Sequence, residues 1–145
     1  MNLTDHFTFS ELTHTDQVKY KEKNRQYGDS IKGQLVRLAE FAERLRAVLG
    51  VPMIVTSGVR CPALNRAVGG SSTSQHVVGE AIDFRPKGID AKDAFKQILA
   101  SGIRFGQLIL EKRSGPWFIH ASMGTKCQAL YSPRLGVFKP WKEGM

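Results

Sequence analysis

The sequence predicts an α+β fold, a small and mainly antiparallel sheet with helices packed on it. Two observations carry this. Helical periodicity is confined to two separate segments, residues 30–49 and 91–101. The strand-like segments 107–111 and 117–123 are joined by Lys112-Arg-Ser-Gly-Pro116, a turn-forming run that makes them a hairpin. Segregated helices and hairpin-linked strands belong to α+β architectures rather than to alternating parallel ones.

Taken in order, residues 1–28 are polar and read as an irregular N-terminal wrap, anchored by the apolar side chains of Phe7-Thr-Phe-Ser-Glu-Leu12. Ile31, Leu35, Leu38, Ala42, Leu45 and Leu49 recur at steps of three and four, so residues 30–49 form a helix with one apolar face. Asp29 or Ser30 is its expected cap, and Gly50 and Pro52 end it. Met53-Ile-Val-Thr56 reads as a short buried strand. Residues 57–79 carry Gly58, Gly69, Gly70 and Gly79 among Ser, Pro and Asn, and are expected to be irregular. So long a loop in a compact domain is usually functional or disordered. A strand over 80–85 follows, then a helix over 91–101 capped by Asp90 and stopped by Gly102. The core is expected to span about residues 30–123 of a single domain covering 1–145.

Bulk properties narrow the function. A chain of 145 residues can bury a core without disulfides or oligomerisation, and a monomer is expected. No apolar run approaches the roughly 20 residues of a membrane span. The N-terminus lacks the basic and apolar segments of a secretory signal, so export would need outside help. With 21 Lys and Arg against 13 Asp and Glu, the net charge of +8 favours a polyanionic partner: nucleic acid, anionic lipid or cell-wall polymer. The absence of interleaved aromatics or a helix-turn-helix pattern argues against nucleic acid. Cys61 and Cys127 lack the paired spacing of a structural zinc site or redox motif and are expected as free thiols, with a bridge between them as the alternative.

Of four histidines, His76 and His120 lie beside strands, whereas His6 and His14 lie in the polar N-terminal segment. In Ser74-Gln-His-Val-Val-Gly-Glu-Ala-Ile-Asp83-Phe, alternation turns Ile82 and Phe84 to one face and Ala81, Asp83 and Arg85 to the other. Gly79 permits the turn that brings His76 towards Asp83. In the last strand Phe118, His120 and Ser122 share a face. Two imidazoles and a carboxylate with an open fourth position make a catalytic zinc site, where bound water ionises near neutral pH. Glu111 ends the strand pairing with that of His120 and is the candidate general base. Taken singly, each of these residues is more often structural: a core histidine, or a solvated carboxylate at a strand end.

The ordered blocks Thr56-Ser-Gly-Val-Arg-Cys-Pro-Ala-Leu-Asn65, Val68-Gly-Gly, Ser74 to Asp83, and Trp117-Phe-Ile-His-Ala-Ser122 resemble the zinc D-Ala-D-Ala carboxypeptidase and L-Ala-D-Glu endopeptidase family. The likeness runs from about Val51 to Met123, and Phe7-Thr-Phe-Ser-Glu-Leu12 with its following helix is similar to phage-encoded, single-domain members. It implies a fold shared with the signalling domain of hedgehog proteins, and His76, Asp83 and His120 as ligands of Zn2+. It puts Arg60 near the substrate, holding a carboxylate or a developing oxyanion; otherwise Arg60 is a surface arginine. Ser74 either hydrogen-bonds the substrate or orders the turn before His76. Two departures stand out. Trp117 occupies the position where many members place the catalytic glutamate, and Phe118 stands where others carry a histidine. Glu111 matches instead the glutamate that some relatives carry on the preceding strand.

The function expected is hydrolysis of peptidoglycan stem peptides by a phage lysis enzyme, made in the host cytoplasm and released to the wall, with virion association left open. The rival is a zinc-stabilised binding module of hedgehog-like fold with no turnover.

Overall fold

The computed structural model describes residues 1–145. Its longest helix, α3 (Lys32–Leu49), follows the periodicity closely: Leu35, Leu38, Ala42 and Leu45 are fully buried and Leu49 nearly so. The helix starts later than the apolar pattern suggests. Asp29 and Ser30 end a separate helix, α2 (Lys21–Ser30), and Ile31 is its C-cap, with its N–H bonded to the carbonyls of Asp29 and Gly28. The expected cap of α3 at Asp29 or Ser30 is therefore corrected.

The N-terminal wrap is also more regular than its polar composition implies. It contains α1 (Phe9–Leu12), a 3-10 turn Val18–Tyr20, and α2. Thr8 and Glu11 close a reciprocal capping box on α1. α2 has no apolar stripe; its buried residues are Asn24 and Gly28. A side chain at Gly28 would put its Cβ 2.4 Å from Thr13 Cγ2, so glycine lets α2 pack closely there.

β1 (Met53–Ser57) runs one residue beyond expectation. The long segment after it is not wholly irregular, because Pro62 opens a short helix, α4 (Pro62–Ala67), at a position where its missing N–H costs nothing. β2 (Ala81–Pro86) is buried on both faces, so Asp83 is buried rather than on a solvated side. α5 (Ala91–Ser101) has the expected signals, with Asp90 Oδ1 accepting from Lys92 N and Gly102 at φ +76°. β3 (Gln107–Glu111) and β4 (Phe118–Ser122) form the expected antiparallel hairpin.

Two further strands lie beyond the expected core: β5 (Gln128–Arg134) and β6 (Val137–Pro140). β5 pairs in parallel with β3, and β6 runs antiparallel to β5 with a register irregularity between Tyr131 and Arg134, around Pro133. Proline at such an irregularity costs no ladder bond. The sheet is six-stranded and mostly antiparallel, in the order β1-β2-β4-β3-β5-β6.

The residues group into two compact units, 1–44 with 55–82, and 45–54 with 83–145. In the first, Phe7, Leu12, Leu35, Leu38, Phe41, Val59 and Leu64 are buried. Here Asn24 Nδ2 donates to the carbonyls of Thr13 and Val59, and its Oδ1 accepts from Cys61 N–H. In the second, Phe84, Phe95, Ile98, Leu108, Leu110 and Ile119 are buried. Both cysteines are free thiols, Cys61 buried and Cys127 exposed. No helix is long and apolar enough to cross a membrane.

Candidate active site

His76 is held by its own turn. Ser74 Oγ accepts from His76 N–H at 3.2 Å, and the His76 carbonyl accepts from the N–H groups of Arg60 and Gly79. Gly79 sits at φ +70°, a conformation that a β-substituted residue adopts only with strain. Around the turn, Tyr27 Oη donates to Val77 O and Gln34 Nε2 to Gly79 O. The imidazole Nδ1 lies 2.6 Å from Gly58 O. A carbonyl only accepts, so Nδ1 carries the proton and Nε2 is the nitrogen with a lone pair to offer a metal. Gly58 is required for that arrangement, because a Cβ there would lie 2.3 Å from the Leu12 carbonyl oxygen.

Asp83 on β2 and His120 on β4 come from neighbouring strands, and His120 Nδ1 lies 2.9 Å from Asp83 Oδ1. Rigid strands fix both side chains, which are about nine-tenths buried. One donor atom from each of His76, Asp83 and His120 lies within 4.8 Å of the others. Donors around a tetrahedral zinc stand roughly 3.3 Å apart for bonds of about 2.0–2.1 Å. Two imidazoles and one carboxylate in this spacing fit a divalent ion of zinc's size and ligand preference. The three residues expected as ligands are thus brought together.

The other candidates have definite partners. Ile109 pairs with His120 and Glu111 with Phe118 across the β3–β4 hairpin, so Glu111 is the diagonal neighbour of His120 on one face. Glu111 is buried, and its Oε1 accepts from Arg113 Nη2 at 2.7 Å. Arg113 is anchored in turn, with Nη1 donating to Lys112 O and to Ser132 Oγ. Arg60 is half-buried, its Nε donating to Ser57 Oγ and its Nη1 to Asn65 Oδ1. Ser74 Oγ is engaged within the turn, on the His76 N–H.

Sequence reasoning missed Arg113, Ser132 and Asn24. Arg113 lies in the bend of the hairpin turn beyond Glu111, the last residue of β3, so strand alternation held no usable signal for it. Ser132 had none either, because it arrives through the parallel pairing Glu111↔Ser132.

A family model described as peptidase M15 matches residues 5–122. The chain belongs to the peptidase M15 family. Its members are zinc-dependent metallopeptidases, which agrees with the donor set formed by His76, Asp83 and His120. The M15 match includes Arg60, Ser74, Glu111 and Arg113 and stops before β5 and β6. No curated protein matches the chain.

Proposed function

We propose that this M15 peptidase hydrolyses peptide bonds in the stems of bacterial peptidoglycan, at either the D-Ala-D-Ala or the L-Ala-D-Glu bond, with Zn2+ held by His76, Asp83 and His120. The observation that carries this reading is the convergence of three buried donors of zinc-ligating type in a chain of this family. When bound, zinc supplies a Lewis acid that brings water ionisation near neutral pH and polarises a carbonyl.

The chain's own residues perform the remaining tasks. Glu111 takes a proton from the attacking water and returns one to the leaving amine. Arg113 holds Oε1 of that carboxylate, which fixes its direction. Arg60 is positioned by Ser57 and Asn65 to present its planar guanidinium to a stem-peptide carboxylate or to the developing oxyanion. Ser74 keeps His76 in its turn. The net charge of +8 draws the protein to an anionic wall, which suits a phage lysis enzyme acting after release from the host cytoplasm.

One observation favours a second reading, a metal-holding module without turnover. The Arg113 guanidinium occupies one oxygen of Glu111, which commits that oxygen to an ion pair rather than to a water molecule. The two readings separate on one assay: release of new amino termini from purified peptidoglycan by wild type and Glu111→Gln at equal zinc occupancy and thermal stability. The enzyme reading expects activity in the wild type and a loss of about 100- to 10,000-fold in the variant. Near-normal activity in Glu111→Gln would remove it as base, and a zinc-loaded wild type inert on every wall type would leave the module. Mass spectrometry of the products names the bond.

A further inference from the structure

The second face of the sheet carries a cavity that the chemistry above does not use. Along the hairpin Trp117 and Ile119 alternate with Phe118 and His120, so Trp117 points away from the face of His120. Leu110 and Tyr131, opposite each other in the β3–β5 pairing, share that second face. Trp117, Tyr131, Leu110 and Trp141 line a cavity of about 490 Å³, with Asp90 and Lys92 at the start of α5 on its rim. That volume lies inside the range of about 300–1,000 Å³ common for small-ligand sites.

All three aromatic side chains are half-buried, and they are fixed. The Trp117 and Tyr131 rings are nearly parallel, at 20° with centroids 6.1 Å apart. The Trp141 ring leans on Phe95 with centroids 4.7 Å apart, and the Trp141 backbone N–H donates to Ala129 O. Rings already immobilised give up little entropy when a ligand arrives. Lys112 Nζ also lies 6.0 Å from the Trp117 ring centroid, so the cavity offers the partly exposed parts of three rings beside a cation, and a cluster of exposed aromatic surface of that kind marks binding sites.

The lining selects the ligand class. A purely apolar ligand would strip water from the exposed Lys92 ammonium and from the Asp90 carboxylate without replacing those hydrogen bonds, which is costly. A pyranose matches both requirements, because its C–H face lies on an aromatic ring while its hydroxyls and amide reach outward to a carboxylate acceptor and an ammonium donor. The phosphates of a nucleic-acid strand would meet a like charge in Asp90.

We propose that this cavity binds the N-acetylated sugar rings of a glycan chain, holding the wall polymer while the opposite face works on its peptides. The choice of an N-acetylated sugar rests on the peptidoglycan reading; the existence of a sugar site does not. Both tryptophans of the chain, Trp117 and Trp141, line this cavity, so intrinsic fluorescence reports on it directly.

The test titrates oligomers of N-acetylglucosamine, which contain no peptide bond, into the full zinc-loaded chain. Saturable fluorescence and calorimetric signals are expected, with affinity reduced about tenfold in Tyr131→Ala, which keeps both reporters. Lys92→Glu, a change at an exposed position, should also weaken binding while leaving thermal stability intact. Hydrolysis of glycan-free stem peptides should be unchanged in Lys92→Glu. Absence of any signal up to about 10 mM sugar, well beyond useful affinity, overturns the proposal. So does saturable binding that survives Tyr131→Ala in a folded variant, or a fluorescence response to an oligonucleotide but not to sugar. Failure of the peptidase reading appears elsewhere, as inactivity on stem peptides by a protein that still binds the sugar.

Discussion

Replacing Asn24 by Ala should cost this protein a large share of its stability. The side chain is fully buried and makes three hydrogen bonds to backbone: to Thr13 O at 2.8 Å, to Val59 O at 3.0 Å, and from Cys61 N–H at 2.8 Å. Each such bond has a net worth of about 0.5–1.5 kcal/mol, and a buried donor left without a partner costs about 1–3 kcal/mol. The two carbonyls tolerate the loss better than the Cys61 N–H, because a carbonyl under-satisfied is less rare than an orphaned N–H. We therefore expect about 3–5 kcal/mol, against a total of roughly 5–15 kcal/mol for a domain of this kind. Val59 and Cys61 flank Arg60, so the same change loosens the segment that carries the guanidinium.

The assay is urea unfolding followed by circular dichroism, with metal and with chelator. Asn24→Asp supplies an internal control. It keeps the acceptor for Cys61 N–H but turns a carboxylate toward two carbonyls, and burial raises its folded-state pKa above the unfolded value of about 3.9. A group with a raised folded pKa contributes its stability below the unfolded value and loses it as pH rises, so Asn24→Asp should be worse at neutral pH than in acid. A loss below about 1 kcal/mol in Asn24→Ala would refute the reasoning, since it would mean that solvent or local rearrangement replaces all three bonds.

The purified chain should hold about one zinc, and His76→Ala, Asp83→Ala and His120→Ala should each lower metal content sharply; full occupancy in any one of them removes that residue from the ligand set. Arg113→Lys keeps the charge but loses the fork that holds Glu111 and Ser132 together. Turnover should fall while KM and zinc content stay constant, and guanidinium added to Arg113→Ala should restore part of the rate; no rescue, with an unfolding midpoint also lowered, would make Arg113 a structural residue. Burial raises the Glu43 carboxyl, but hydrogen bonds from the His6 ring and N–H outweigh it and hold the group below its ordinary 4.5. Its contribution is present above pH 4.5 and lost as pH falls through the lower folded value, so Glu43→Gln should flatten the acid limb of a urea-midpoint profile below about pH 5. An unchanged limb would show that His6 and Glu43 do not stay paired in solution.

The sequence alone determined those parts of this protein whose causes are local. α5 is written in a cap, an apolar stripe and a stop glycine, all within thirteen residues, and it was legible to the residue. The β3–β4 hairpin was legible for the same reason, since alternation and a turn run are read over short distances. The chemical types of His76, Asp83 and His120, with their blocks of glycine and serine, announced a metal site before any distance was known. Tertiary structure decided what depends on partners distant in the chain. α2 has no apolar periodicity and exists as a packed element because Asn24 binds the backbone of residues 35 and 37 positions away. β5 is interrupted by Pro133 and shows its role only in parallel pairing with β3. That pairing brings Ser132 beside Glu111 and so places Arg113 on the carboxylate. A hydrogen bond between groups far apart in sequence leaves no period to read, because its second partner is chosen by the fold.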